Sequence, residues 1–353
     1  MGSRVAADRR TACPPALAAR LSPGVAGIAC ALLALAPAFA AQVPPAALSD
    51  VPSAPVEEVL VTGEQPGPGM WRVSDGEHEL WILGTLDPLP RRMTWRSREA
   101  ERVIARSQAV IAPPAVSVSV GFFKGLLALP TLLHARTNRG GRTLRDILPA
   151  ALYDRWAALK ERFLDEDDTV EQLRPSVAAH ELYKRAIERS GLVSGDGIWS
   201  VVEKLAKTQH VPVTAVTIEL TVTDPKGTIR ELEQIPADGD VACLGSTIET
   251  LETGLEPMRR RADLWARGDV DALRQLPAAD QRTTCLDAVM AVPKLRTQVL
   301  EVRAQLADRW LADVAHALAT NQSTLAVLPI AQLLDPDGWV ARLRERGYTV
   351  DAP

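Results

Sequence analysis

The sequence predicts an α/β (α+β) fold: a mixed β-sheet built from two strand-helix-strand units, flanked by many helices, with a largely helical middle section. Three observations carry this prediction. Leu80–Pro90, LWILGTLDPLP, is an apolar run that stops at the small residues Gly84 and Thr85; a helical period and a second short apolar run, AVIAPP at Ala109–Pro114, follow it. The final third repeats this order, with a helical period over Glu301–Ala319, the strand-like TLAVLPI at Thr324–Ile330, and WVARLRERG from Trp339. Between the two, from about Gly121 to Gln209, apolar residues recur at helical spacing.

Each element has its own local reason. Residues 1–40 read as a signal peptide: an Arg-bearing start, then an uncharged apolar run ending in Ala38-Phe39-Ala40, with cleavage expected near Ala40. Asp8-Arg9-Arg10 resembles part of a twin-arginine signal and Gly27-Ile28-Ala29-Cys30 a lipoprotein box, so a lipoprotein or a leader-anchored chain stands as the alternative to a free periplasmic one. Residues 41–70 are rich in Pro, Ala, Gly and acidic residues and read as a disordered linker. Within them, VEEVLVTG resembles a segment near the mature start of TonB-dependent outer-membrane receptors, which implies a Gram-negative bacterial lineage.

A single ordered domain is expected over 71–353. It opens on a hairpin, Trp71–Val73 and Glu79–Leu83, turned at Asp75-Gly76. Thr94 is placed to cap the next helix, whose apolar positions are Ala100, Val103, Ile104 and the small Ser107. In the middle, GFFKGLLALPTLLHA reads as an apolar helix interrupted at Pro130, TLRDILPAALYDRWAALKERF as two helices parted by Pro149, and RPSVAAHELYKRAIERSG as a helix ending at Gly191. Val211–Val222, dense in β-branched residues, reads as one strand.

Ser246 and Glu249 have capping-box spacing ahead of a helix with Ile248, Leu251, Leu255, Met258, Ala262 and Trp265 on one face. Arg267-Gly268-Asp269 spells an adhesion tripeptide, but Gly268 sits where that helix should stop and Asp269 where the next should be capped. Asp335-Pro-Asp337-Gly reads as a turn capping the helix at Trp339.

Composition narrows the function classes. At 353 residues and 46% apolar, the chain can bury a sizeable core. Its formal charge is −4, of which the first 40 residues contribute +3, leaving −7 on the remainder. An acidic chain with 4% aromatics and no Lys/Arg stripe has no electrostatic footprint for nucleic acid. No apolar run after the leader is long enough to span a bilayer. Cys13 and Cys30 lie in the leader; Cys243 and Cys285 are then an even pair in an exported chain, for which a disulfide is expected, two buried thiols being the alternative.

Zinc spacings, phosphate-cradling glycine loops and nucleophile elbows are absent from the sequence. His180-Glu181 begins a zincin-like string, but Lys184 stands where the second histidine must be. The remaining place for chemistry is the carboxyl edge of the sheet, where open α/β sheets bind ligands. There Asp87 follows the first strand, and Gln332, Asp335 and Asp337 follow the last, with Gly84 and Thr85 lining the turn. One carboxylate with a neutral amide is a poor site for a transition metal, and holds Mg²⁺ only with further oxygen ligands.

LWILGTLDPLP, MTWRSREAERVIARSQAVI, CLGSTIETLETGLEPMRRRADLWARGDVDALRQLP and STLAVLPIAQLLDPDGWVARLRERGYTVDAP together resemble, in order and spacing, the TraB/GumN family of exported bacterial proteins. The resemblance covers most of Trp71 to Pro353. It implies a mixed α/β fold and kinship with animal metal-dependent proteases acting on Wnt proteins, whose proposed site uses two Gly-x-x-His motifs at strand ends together with acidic residues. Here the first motif falls on Gly84–Asp87, with Asp87 in place of histidine. The second falls on Pro329–Gln332, where both the glycine and the histidine are replaced. The acid expected after the second strand would fall near Ala112 or Pro113, and Glu219 stands nearest to the family's mid-chain glutamate.

Asp and Gln do not replace imidazole as a ligand for Mn²⁺ or Zn²⁺ or as a proton carrier near neutral pH. The expectation is therefore a periplasmic protein with a degenerate site and no cofactor, binding a peptide, protein or small molecule. The alternative is a divergent hydrolase or peptidase using Asp87 with Glu219 and Asp335 around Mg²⁺ or Mn²⁺. A third reading is an accessory factor for outer-membrane transport or polysaccharide export.

Overall fold

The first strands form where the apolar runs are. In the computed structural model, which describes residues 67–353 apart from 94, 96, 97, 166, 196 and 277–280, β1 (Met70–Ser74) and β2 (Glu79–Thr85) make the expected antiparallel hairpin. Its turn is held by the Asp75 carboxylate, which accepts the Glu77 and His78 N–H groups at 3.0 and 2.8 Å, and by Gly76 at φ +107°. The expected leader, most of the expected linker and the expected cap Thr94 lie outside the described residues. The last few linker positions belong to the fold: Gly67 is buried and donates to the Ala266 carbonyl at 3.1 Å, and Met70 opens β1.

After β3 (Leu89–Pro90) come α1 (Arg98–Arg106), β4 (Ala109–Ile111), β5 (Ala115–Val120) and α2 (Phe122–Ala135). The helical middle holds α3 (Leu144–Ile147), α4 (Ala150–Phe163) and α5 (Pro175–Arg189), then β6 (Leu192–Val193) and α6 (Gly197–Thr208). Next stand β7 (Val213–Thr214), β8 (Thr217–Val222), α7 (Pro225–Leu232), α8 (Ala237–Glu252), α9 (Glu256–Ala266), α10 (Val270–Gln275) and α11 (Gln281–Met290). The chain closes with α12 (Pro293–Thr320), β9 (Ser323–Pro329), α13 (Ile330–Leu334), α14 (Trp339–Glu345) and β10 (Thr349–Asp351).

The main sheet runs in the order β10-β1-β2-β9-β4-β7. β10, β1 and β2 pair antiparallel, and β2, β9, β4 and β7 pair parallel. The sheet is therefore mixed, as the sequence predicts. β9 is central and buried from Ser323 to Leu328, the signature of a strand covered on both faces. Trp71, Leu80, Ile82, Trp310, Leu325 and Val327 form the middle of the core around it. A second core of Leu144, Trp156, Leu182, Leu244 and Ile248 lies among the middle helices. Cys243 on α8 and Cys285 on α11 are joined by the expected disulfide, with Cα atoms 4.5 Å apart.

Several expectations are corrected. Ser246 and Glu249 do not start a helix; they lie inside α8, which begins nine residues earlier at Ala237 behind Pro236. The expected long helix through Trp265 is two helices, α8 and α9, parted at Gly254 with φ +87°. Pro130 does not interrupt α2, which continues through it to Ala135.

Val211–Val222 is two strands: β7 joins the main sheet, while β8 pairs in parallel with β5 in a separate two-stranded ribbon. The break is opposite Pro113 and Pro114, which have no N–H to continue the ladder. β5 itself went unread because its alternating Val and Ser face no core. The helix that opens the final third starts at Pro293 rather than Glu301, with proline at its first turn. Leu333 and Leu334 end α13, and α14 is capped by Gly338 without a side-chain bond. The Asp335 carboxylate instead accepts the Asp337 N–H within the turn, at 3.0 Å.

Candidate functional site

Parallel pairing of β2 with β9 fixes the geometry of the sheet edge. The register runs from Glu79 opposite Ser323 to Thr85 opposite Pro329, so both chains leave the sheet at the same end. Asp87 therefore follows one strand and Gln332 the other, on a shared edge. Both are half-buried.

Gly84 has a packing role. It is buried, and a Cβ there would stand 2.5 Å from Ile330 Cδ1 and 2.9 Å from Leu333 Cδ1, so the side chains of α13 lie directly on it and would have to turn aside for a larger residue. Its carbonyl accepts the Trp265 indole N–H at 2.8 Å, which ties the edge of the sheet to α9. Trp95 meets the Trp265 ring edge-on, with centroids 5.4 Å apart. Gly268, at φ +71°, then ends α9, and Asp269 Oδ1 accepts the Ala272 N–H at 3.0 Å as the cap of α10. The Arg-Gly-Asp tripeptide is thus a helix stop and a helix start.

Asp87 is held by the chain leaving the helical middle. Its Oδ1 accepts the Gly195 N–H at 3.0 Å. Directly beyond it, β3 pairs with β6, and the Arg91 N–H donates to the Gly191 carbonyl at 2.8 Å. The carboxylate therefore sits at the end of a short antiparallel seam between the sheet edge and the segment after α5.

Glu219 stands elsewhere. It is exposed on β8, paired with Ser117 in the ribbon rather than in the main sheet. The Ser117–Glu219 pair lies six residues along from Ile111, the last residue of β4, a reach of up to about 20 Å. Asp335 is engaged by its own turn.

Among the described residues no group of three or more His, Cys, Asp and Glu side chains is placed to hold a metal ion. Asp87 and Gln332 offer one carboxylate and one amide, fewer oxygen ligands than Mg²⁺ or Ca²⁺ takes.

One concave feature was not legible in the sequence. A cavity of about 750 Å³ lies among the helices, lined by His134, Asn138, Arg139, Arg142, Arg174 and Asp240 among others. Arg174, at the start of α5, and Asp240, in the first turn of α8, form a 2.7 Å ion pair in its wall, with side chains 15% and 5% exposed. Asp240 Oδ1 has no hydrogen-bond partner among the described residues. These residues are scattered over a hundred positions, and only the packing of α5 on α8 collects them.

Among the described residues, no helix is long and apolar enough to cross a membrane. Searches of curated proteins and of solved structures returned no match. Residues 69–352 match the model of the TraB/PrgY/gumN family, which spans nearly the whole described chain, and the protein belongs to that family.

Proposed function

We propose that this TraB/PrgY/gumN family member is an exported, periplasmic protein that acts by binding a peptide, protein or small molecule, its Asp87/Gln332 edge being no longer equipped for hydrolysis. The observation that carries the reading is the hydrogen bond from the Gly195 N–H to Asp87 Oδ1. The aspartate at the position of the family's first histidine acts as a tether between two parts of the fold. Gln332 at the second position is a neutral amide that neither ionises nor accepts a proton near neutral pH. The helical cavity gives such a protein a place to bind. Its three arginines outnumber the carboxylates of Glu233 and Asp240, a balance that favours an acidic peptide or another small anion.

The test is metal analysis of the purified chain by mass spectrometry, with broad peptide hydrolysis measured in the presence and absence of Mn²⁺ and Mg²⁺. The expected result is no stoichiometric metal and no metal-dependent turnover. Turnover that depends on either cation and disappears in Asp87→Ala would replace this reading with a divergent metal-dependent peptidase.

A further inference from the structure

The ribbon of β5 and β8 and the helix that follows it carry apolar surface that nothing in the described chain covers. Ten Val, Leu and Phe side chains between Val116 and Leu133 are 41 to 78% exposed, with Phe122 and Phe123 the extremes at 78% and 77%. On α2 only Ala128 is buried. In the ribbon, register places Val116, Val118 and Val120 opposite Ile218, Leu220 and Val222, so one face is wholly apolar. The exposed fractions sum to between five and six whole side chains, on the order of 1,000 Å² with Phe at roughly 150–250 Å² and Val and Leu somewhat smaller. The largest apolar patch on an ordinary monomer is about 300–600 Å². One partner of a stable protein interface contributes about 800 Å².

The strand edge says what kind of surface would cover the patch. β8 is the sole strand paired with β5 among the described residues, and all six residues of β5 are exposed. AVSVSV contains no proline and no charge, the devices that normally keep an edge strand from pairing. Lipid chains cannot satisfy a row of edge N–H and C=O groups, whereas another strand can. Charge also argues against a membrane surface. Helices that lie on bilayers present a Lys/Arg-rich face, whereas the one charge within α2 is Lys124, whose Nζ donates to the Thr223 carbonyl at 3.0 Å.

We propose that the face formed by β5 and α2 is a homodimer interface, closed by a second copy of this chain. A two-fold axis beside β5 pairs it antiparallel with its copy, turning two ribbons into one four-stranded sheet with a continuous apolar face flanked by the two α2 helices. Such an interface is isologous, so the same patch serves both partners.

Sedimentation equilibrium of the purified full chain tests this, with Phe123→Glu/Leu127→Glu and Val118→Lys as variants. The wild-type mass should be about twice that of one chain. Each variant should weaken association at least ~30-fold, the loss expected at an interface centre, with unchanged far-ultraviolet circular dichroism. Contributions from residues outside the patch are common to all three chains. On the unmodified protein, the Val118 and Ser119 amides should gain hydrogen-exchange protection as concentration rises, a readout that does not depend on any variant folding. A wild type that stays monomeric, a dimer indifferent to both variants, or β5 amides indifferent to concentration would overturn the proposal. So would a monomer captured by phosphatidylcholine/phosphatidylglycerol vesicles through Phe123 and Leu127.

Discussion

The indole N–H of Trp265 donates to the carbonyl of Gly84 at 2.8 Å, across 181 positions of sequence, and both groups are buried. This bond ties α9 to the end of β2, three residues before Asp87. Trp265→Phe keeps most of the packing but strands a buried carbonyl. Its expected cost is about 1–3 kcal/mol in urea unfolding.

Gly84→Ala attacks the same place from the other side. A methyl group 2.5 Å from Ile330 Cδ1 forces the Ile330 and Leu333 side chains out of their places in a packed core, at a cost of about 1–3 kcal/mol. Ile330→Val removes the obstructing atom. In the Gly84→Ala background it should recover part of the loss, whereas alone it should destabilise; a double-mutant cycle on denaturation midpoints reads the coupling.

The Cys243–Cys285 bridge closes a separation of 42 residues between α8 and α11. Replacing both cysteines with alanine should lower stability by about 2–4 kcal/mol, in line with the chain entropy such a loop regains. Thermal unfolding with and without reductant should move by the same amount in the wild type and not at all in the double variant.

Asp240 is the buried member of an ion pair whose other member, Arg174, is only 15% exposed. Asp240→Ala leaves the guanidinium without its carboxylate in the wall of the cavity, and the expected loss is about 3 kcal/mol by chemical denaturation. Asp240→Asn retains an acceptor and should cost less.

Acid should unfold this protein through carboxylates that are better satisfied when folded. The Thr143 N–H holds Asp146 below its ordinary value, the Thr169 hydroxyl and N–H do so for Asp167, the His78 and Glu77 N–H groups for Asp75, and the Arg155 guanidinium for Glu252. With folded pKa values depressed, the unfolded chain binds more protons as pH falls. The contribution is therefore complete above the ordinary carboxylate range, 3.8 for Asp and 4.5 for Glu, and is lost as pH drops below it. Melting temperature should be level near neutrality and fall below about pH 4.5, with a shallower decline in Glu252→Gln.

What the sequence made legible follows the strength of the local signal. β2 and β9 were readable because their apolar runs are unbroken and bounded by small residues or proline, and the Arg-Gly-Asp stop and start were readable from cap chemistry alone. The Ser246–Glu249 spacing misled because serine within a helix can bond back along its own turn, as neighbouring Thr250 does to the Ser246 carbonyl at 2.8 Å. β5 was missed because strand patterning is sought as one polar and one buried face, and here neither face is buried. The pairing of Asp87 with Gly195 and the cavity around Asp240 are tertiary facts, made by segments that touch only after folding.

The tether made by Asp87 is most directly tested by hydrogen exchange at the Gly195 amide, compared between the wild type and Asp87→Ala, with peptide hydrolysis measured on the same samples in Mn²⁺. The expected result is faster exchange at Gly195 and along the β3–β6 seam in the variant, with no metal-dependent turnover in either protein. Unchanged protection at Gly195, together with Mn²⁺-dependent hydrolysis present in the wild type and lost in the variant, would contradict it and make Asp87 a catalytic group.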